Sequence, residues 1–415
     1  MQHSLKRSSQ DTNIDIVFLL YWGVLVFWQN VNPGSTGSFA DTAIKTALIL
    51  MLVAYYLLHV SMINVRTLGV VFFLGGNLAI SFLSESGVTL RNILTYFFPV
   101  VFAFLSCCTG GRFEIDKRKL LRFMRILIGI VSYMAIYAVV TKPEKFLNAL
   151  STSNAYGNEL TSFFVSSHEY GMYLMAGIAA CILCFELESK RTKMKNAILA
   201  ICLVLFFVNL LLTYSRTAML ATALIVLPYM ILNRHRRLPK AMLALFALVL
   251  LFVLLVPTLR QYTFDILLKG NNDAGRGELA SLAMKAFREG NLPDKLWGQG
   301  ATAMSAFFKE ETSHSSAHNA YLQTMLYFGI VSLCIMICFL LSQLVANIRL
   351  ARRNRTLGVL FAGLTLACAS MMLTNTAVLF SSPIDSFFLT VFTILVPMYV
   401  RNALVNLRFW ENETD

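Results

Sequence analysis

The stretch NAILAICLVLFFVNLLLTYSRTAMLATALIVLPYMIL, residues 196–232, contains two apolar runs that are joined by a turn of a few polar residues. Each run approaches the roughly 20 apolar residues that a helix needs to cross about 30 Å of hydrocarbon. Similar runs recur along the chain, which is 57% apolar and 14% charged and has a mean hydropathy of +0.65. This composition predicts an integral membrane protein rather than a soluble domain.

The apolar runs predict an all-α, polytopic membrane protein with about twelve transmembrane helices. They lie near residues 14–31, 43–62, 67–83, 90–108, 120–140, 169–187, 197–213, 216–233, 241–258, 319–346, 357–375 and 384–400. Alternate connections carry 23 of the 35 basic residues, and such connections are normally cytoplasmic. Both termini are therefore expected in the cytoplasm. The net charge of +13 is explained by this topology, and no nucleic-acid partner is expected.

The chain divides into residues 1–258 with the first nine helices, an extracytoplasmic loop at 259–318, and residues 319–415 with three helices and a cytoplasmic tail. In the loop, GRGELASLAMKAFREG has apolar residues at helical spacing and predicts a short amphipathic helix near 276–289. Such a helix could lie on the membrane surface and cover a cavity. In the NLPDKLWGQGATAM that follows, Pro293, Gly298 and Gly300 predict a chain held in turns.

Two arginines on the extracytoplasmic side stand at predicted helix N-termini. Arg216 follows Ser215, a predicted N-cap, and Arg276 begins the loop helix. A cation is electrostatically unfavourable next to the partial positive charge of a helix N-terminus, unless an anion binds there. Arginine and free backbone N–H groups together suit a phosphate. Alternatively, Arg216 extends to lipid headgroups, as arginines at span ends often do.

A histidine enters the helix after the loop, in SSAHNAYLQTMLYFGI, residues 315–330. Near a helix N-terminus the protonated form of His318 is disfavoured, so the ring would stay neutral and able to accept a proton. Asn319 can cap the helix or orient the histidine. The alternative is that His318 only caps or faces headgroups. The charge rule places it on the same side as Arg216 and Arg276.

Four motifs occur in a fixed order: SRTAML at the start of a helix, GRGE at the start of the loop helix, then GQG, then HNAYLQTMLYFGI. Their order, spacing and common side resemble the O-antigen ligase and Wzy-type polysaccharide polymerase superfamily of bacterial envelopes. The resemblance is detailed over about residues 200–340 and extends to the length, helix number and loop placement of the chain.

This resemblance implies a metal-independent glycosyltransferase of the GT-C type, with no cofactor, in the bacterial cytoplasmic membrane and with its active site facing outward. The implied donor is an undecaprenyl-diphosphate-linked oligosaccharide held among membrane lipid, and a chain-length regulator and a flippase are further expected partners. In this chain, Arg216 and Arg276 match the family arginines that hold the diphosphate. His318 matches the histidine that activates the acceptor hydroxyl.

Other residues are weaker candidates for substrate binding. Each also has a plain structural interpretation, as a helix cap, an interfacial aromatic residue or a solvated loop charge. They are Tyr214, Ser215, Asn319, His168, Arg260, Arg288 and His314. Glu169, next to His168, could likewise line the acceptor cavity.

Three functions stay open on the sequence. We expect a polymerase of lipid-linked repeat units, because that group is sequence-diverse and occurs across more kinds of envelope. A ligase that transfers the glycan to lipid A core shares the same length, topology and arginine–histidine pattern. A flippase or other transporter would favour a charged central path and an internal repeat, and the sequence shows neither.

Overall fold

The computed structural model describes residues 13–32, 39–59, 113–144, 159–164, 166–188, 191–236, 238–240, 242–244, 276–312, 316–375 and 384–406, together with positions 251, 254, 255, 314, 379 and 409. Within these ranges the secondary structure is helical, without strands. The helices are α1 (Ile14–Val31), α2 (Phe39–Leu58), α3 (Lys117–Thr141), α4 (Ser167–Leu187), α5 (Lys193–Leu212), α6 (Arg216–Leu232), α7 (Arg276–Glu289), α8 (Leu292–Trp297), α9 (Ala301–Glu311), α10 (Ala320–Arg353), α11 (Arg355–Met372), α12 (Ile384–Thr390) and α13 (Val396–Val405). A π-helical turn, Val391–Leu395, joins the last two.

Eight helical segments of the described residues are long and apolar enough to cross a membrane. They are α1, α2, α3, α4, α5, α10, α11 and the continuous segment Asp385–Val405. The 17-residue α6 is apolar but shorter. The prediction of an all-helical, multi-pass membrane protein is confirmed. The predicted spans 67–83 and 90–108, and most of 241–258, lie outside the described residues, so the total of twelve and the orientation of the termini stay predictions.

The most deeply buried span is α4, which packs against α3, α5 and α6. Two glycines allow the close approach: a Cβ at Gly171 would lie 2.6 Å from the Cβ of Ala218 in α6, and one at Gly177 would lie 2.8 Å from Val131. Small residues at such contacts let helix backbones come together where no hydrophobic effect drives association. The contact at Gly171 brings the first turn of α4 next to the first turn of α6.

The connection between α5 and α6 is as short as predicted, because α5 ends at Leu212 and α6 begins at Arg216. Ser215 caps α6, since its Oγ accepts a hydrogen bond from the backbone N–H of Ala218 at 3.3 Å. However, α6 does not pack along α5 as a hairpin. It packs mainly against α11 and α4.

The long helix α10 is not continuous, in contrast to the predicted span 319–346. Gly329 has φ +80° and ψ 169°, so the helical path breaks there. The backbone of the α8–α9 connection fills the break: Gln299 N donates to Leu326 O at 2.8 Å and Gly300 N donates to Tyr327 O at 3.3 Å. These bonds satisfy two carbonyl groups that the break leaves without helical partners.

The segment after the amphipathic helix forms two short helices, and the prediction of a chain held only in turns was wrong. Pro293 lies in the first turn of α8, where its missing N–H costs nothing. Asn291 and Asp294 form a capping box at the same end. The prediction of turns is confirmed at Gly298 and Gly300, where φ is +92° and +86°.

The predicted amphipathic helix is confirmed as α7, but protein rather than the membrane surface covers its apolar face. Leu279, Ala283 and Ala286 are buried in one cluster with residues of α9 and of the first part of α10. Gln299 secures the far end of α7, because its side-chain Nε2 donates to Ala286 O at 3.3 Å. The GQG motif therefore joins α7 to the broken part of α10.

We expect Gly329→Ala to lower the free energy of unfolding by about 2–4 kcal/mol. This is the sum of the cost of a strained left-handed backbone and the cost of a steric clash. A Cβ at Gly329 would lie 2.0 Å from Leu296 O, and backbone atoms cannot move aside cheaply. Thermal unfolding in detergent measures the effect. Gly129→Ala in α3 is the matched control, because a Cβ there meets nothing within 4 Å and its stability should not fall. Equal melting temperatures for Gly329→Ala and wild type would contradict this account of the break.

Candidate active site

His168 joins three helix N-termini. It lies in the first turn of α4, and its Nδ1 is 2.8 Å from Ser215 Oγ at the start of α6. Its Nε2 is 3.1 Å from Nη2 of Arg276, the first residue of α7. The positive ends of three helix dipoles therefore meet around one imidazole. Such a convergence of N–H groups and a guanidinium favours an anion nearby.

These contacts define the protonation of His168. A guanidinium only donates hydrogen bonds, so Nε2 accepts from Arg276. A neutral imidazole then carries its proton on Nδ1 and donates it to Ser215 Oγ. Ser215 Oγ also accepts from Ala218 N, so both of its lone pairs are occupied and its O–H can still donate. His168 therefore links Arg276 of α7 to Ser215 at the start of α6.

His318 lies immediately before the N-cap of α10 in a left-handed backbone conformation, with φ +46°. Its ring meets that of His314 edge-on, with centroids 5.1 Å apart. Burial lowers the pKa of His318 below its ordinary value of 6.5, and the nearby His314 and Arg276 lower it further. A lowered pKa favours the neutral ring, and its causes are burial and neighbouring charges rather than the helix N-terminus on which the prediction rested. Arg276 stands within electrostatic range of His318 and within hydrogen-bond distance of His168.

The other predicted site residues do not all belong to the group formed by His168, Arg276 and His318. Asn319 caps α10, accepting from Tyr321 N at 3.0 Å and Leu322 N at 3.1 Å. Arg216 is the first residue of α6, next to Ser215, and its side chain is exposed. Tyr214 has φ +51° and is buried, so its ring presents no open face to a sugar.

One predicted arginine does not join the group. Arg288 is exposed in the last turn of α7, about 18 Å along the helix axis from Arg276 at 1.5 Å per residue. Arg260 lies outside the described residues. Within the part of the chain that the structure describes, no group of three His, Cys, Asp or Glu side chains could hold a metal ion.

Three polar residues near this site, Asp41, Lys45 and Asp385, were not among the predicted site residues, whereas Glu169 was a weaker candidate. Lys45 in α2 pairs with Asp41 at 2.8 Å and interacts electrostatically with Glu169 in α4 and with Asp385 in α12. These four residues lie near the predicted outer ends of their spans, and this position is the sequence feature that could have identified them. Nothing in the sequence indicates that these three helices meet.

The comparisons with known proteins concern the region that carries most of this site. Residues 201–337 match the Wzy_C family model, described as O-Antigen ligase. The match includes Ser215, Arg216, Arg276 and His318, and it leaves out His168. Neither a curated protein nor a solved structure matches the chain. The predicted resemblance to the O-antigen ligase and Wzy-type polymerase superfamily is therefore confirmed, on residues 201–337.

Proposed function

We propose that this chain polymerises undecaprenyl-diphosphate-linked repeat units into a surface polysaccharide on the outer face of the cytoplasmic membrane. The family is one of glycosyltransferase-like enzymes that handle lipid-linked glycans. The observation that carries the proposal is the His168–Arg276 contact, together with the lowered pKa of His318, on which Arg276 acts. It supports the proposal because a guanidinium held in position suits a leaving diphosphate, and a histidine of lowered pKa suits a proton acceptor.

In the proposed reaction, the bond between the anomeric carbon and the diphosphate oxygen breaks, and its electron pair goes to the diphosphate. Arg276 and Arg216, with the N-termini of α6 and α7, stabilise the charge as it develops. The acceptor hydroxyl oxygen forms the new bond to the anomeric carbon. Its proton goes to His318, a contribution of about 10²–10⁴-fold in rate. Arginines thus supply the electrostatic stabilisation that a metal ion supplies elsewhere.

The test uses purified full-length protein in detergent with lipid-linked glycan extracted from the membranes of the source strain. We expect a ladder of longer glycans in the presence of EDTA and without ATP. Transfer to added lipid A core instead would identify a ligase, the second candidate, which the description of the matching family favours. Transbilayer movement of an unaltered glycan would refute the enzyme proposal and favour a transporter.

We expect His168→Ala to slow transfer about 10- to 100-fold, because a misplaced Arg276 loses its alignment with the leaving group. The loss should appear in kcat more than in KM. His168→Gln should recover part of the rate, since its amide oxygen can accept from Arg276 as Nε2 does. His235→Ala removes an exposed histidine elsewhere and should leave the rate unchanged. No recovery by glutamine would argue against a positioning role.

A further inference from the structure

The turn between α10 and α11 carries a cluster of exposed arginines, which we call the arginine corner. Its members are Arg349, Arg352, Arg353 and Arg355. The turn is short, because Asn354 alone joins the two helices, and its Oδ1 accepts from Leu357 N at 3.1 Å. A Cβ at Gly358 would lie 2.2 Å from Ala351 N, so the first turn of α11 lies directly against the last turn of α10. The four arginines therefore extend from one compact part of the protein.

The described part of the chain supplies no carboxylate to the arginine corner. None of the four arginines forms an ion pair with a described residue, and residues 312–384 contain no Asp or Glu. Other arginines near helix ends do have partners. Arg122 pairs with Asp15 at 2.7 Å, and Arg125 pairs with Glu188 at 3.0 Å. The preference for basic connections explains why arginines lie at this turn, but it does not explain why these four differ from the others.

The neighbouring helices offer no free carboxylate either. α6, α10, α11 and α13 contain no Asp or Glu. At the end of α4, Glu186 pairs with Arg236. Glu188 also pairs with Lys195, at 2.9 Å. Four like charges in one place repel one another, and Arg355 begins α11, where the partial positive charge of the helix N-terminus disfavours a cation. A bound anion would remove both costs.

The position of the arginine corner on a membrane span indicates which anion binds there. On α10, Leu341, Val345 and Ile348 are exposed and lie at helical spacing on one face, so this face contacts lipid. Arg352 follows Ile348 by four residues and continues the same face, one turn nearer the helix end. An arginine in this position reaches the level of the lipid headgroups, where its guanidinium can bind a phosphate bidentately.

We propose that the arginine corner binds the phosphate of an anionic phospholipid such as phosphatidylglycerol. Clusters of about four to eight basic residues beside a span attract anionic lipids. The site lies at the opposite end of α10 from His318, because the helix from Gly329 to Arg353 is about 35 Å long at 1.5 Å per residue, enough to cross the hydrocarbon. The inference is therefore independent of the proposed glycan transfer.

The experiment measures binding of dioleoyl phosphatidylglycerol and dioleoyl phosphatidylcholine, which have the same acyl chains, to the full-length protein in detergent. We expect wild type to bind the anionic lipid about tenfold more tightly, and added salt should weaken this preference. Arg352→Gln/Arg353→Gln should lose most of the preference. Arg118→Gln/Lys285→Gln removes two exposed charges elsewhere, so it is the matched control and should keep the preference.

The variants should melt at the wild-type temperature in detergent without added lipid, because the substituted side chains are exposed. Arg352→Lys/Arg353→Lys should retain part of the preference, since lysine keeps the charge but loses the bidentate geometry. Equal affinity of wild type for the two lipids would overturn the proposal and favour an acidic protein partner instead. An equal loss in the control would assign the preference to the net charge of the whole protein and would also overturn it.

Discussion

Arg276→Ala should lower the rate of glycan transfer by about 10²–10³-fold, the usual cost of removing one preorganised group that stabilises a developing negative charge. The guanidinium is fixed by His168 Nε2 at 3.1 Å and begins α7, so its position is set before the substrate arrives. Arg276→Lys should recover only a small part of the rate. Lysine keeps the charge but loses the planar, bidentate grip on phosphate.

The measurement is the single-turnover rate with glycan-bearing lipid, alongside the affinity for undecaprenyl diphosphate. Lys285→Ala is the matched control, because it removes an exposed positive charge from the same helix. If Lys285→Ala slows transfer as much as Arg276→Ala, the effect comes from the overall charge of the loop. A specific diphosphate contact at Arg276 would then be refuted.

The membrane spans were predictable because the apolar length of a helix decides whether it can cross hydrocarbon. A helix in hydrocarbon needs a minimum apolar length, and α1, α3, α4 and α5 each show it in the local sequence. The break in α10 was not predictable in this way. Glycine is frequent in membrane helices, so Gly329 alone does not predict a break, and the hydrogen bonds at the break come from the α8–α9 connection.

Parts of the site were predictable for a similar local reason. Ser215 as a cap and Arg276 as the first residue of a helix follow from residues within one turn of a helix end. The lowered pKa of His318 comes first from burial, which the local sequence does not show. The His168–Arg276 contact joins residues 108 positions apart. It depends on how α7 folds back against the membrane helices, and a single sequence does not encode that distance in any local pattern.

His318→Ala should reduce transfer by about 10²–10⁴-fold without loss of the folded protein, because it removes the proposed proton acceptor. His318 has φ +46°, a conformation that alanine adopts less readily than asparagine. His318→Asn is therefore the better variant, since it preserves the backbone and removes the base. Expression and melting temperature should match wild type, whereas long glycans should disappear. Wild-type glycan ladders from His318→Asn would eliminate the base role.

The pH profile separates a base from a structural histidine. In the proposed mechanism transfer needs the neutral ring of His318, so we expect the rate to fall as the pH drops through its pKa, which lies below 6.5. His314 lowers that pKa. In His314→Gln the pKa of His318 should rise, and the acid limb of the rate profile should move to higher pH, while the rate at high pH stays near wild type. His318→Asn should have no such limb. An acid limb that persists in His318→Asn, or that does not move in His314→Gln, would assign the titration to another group.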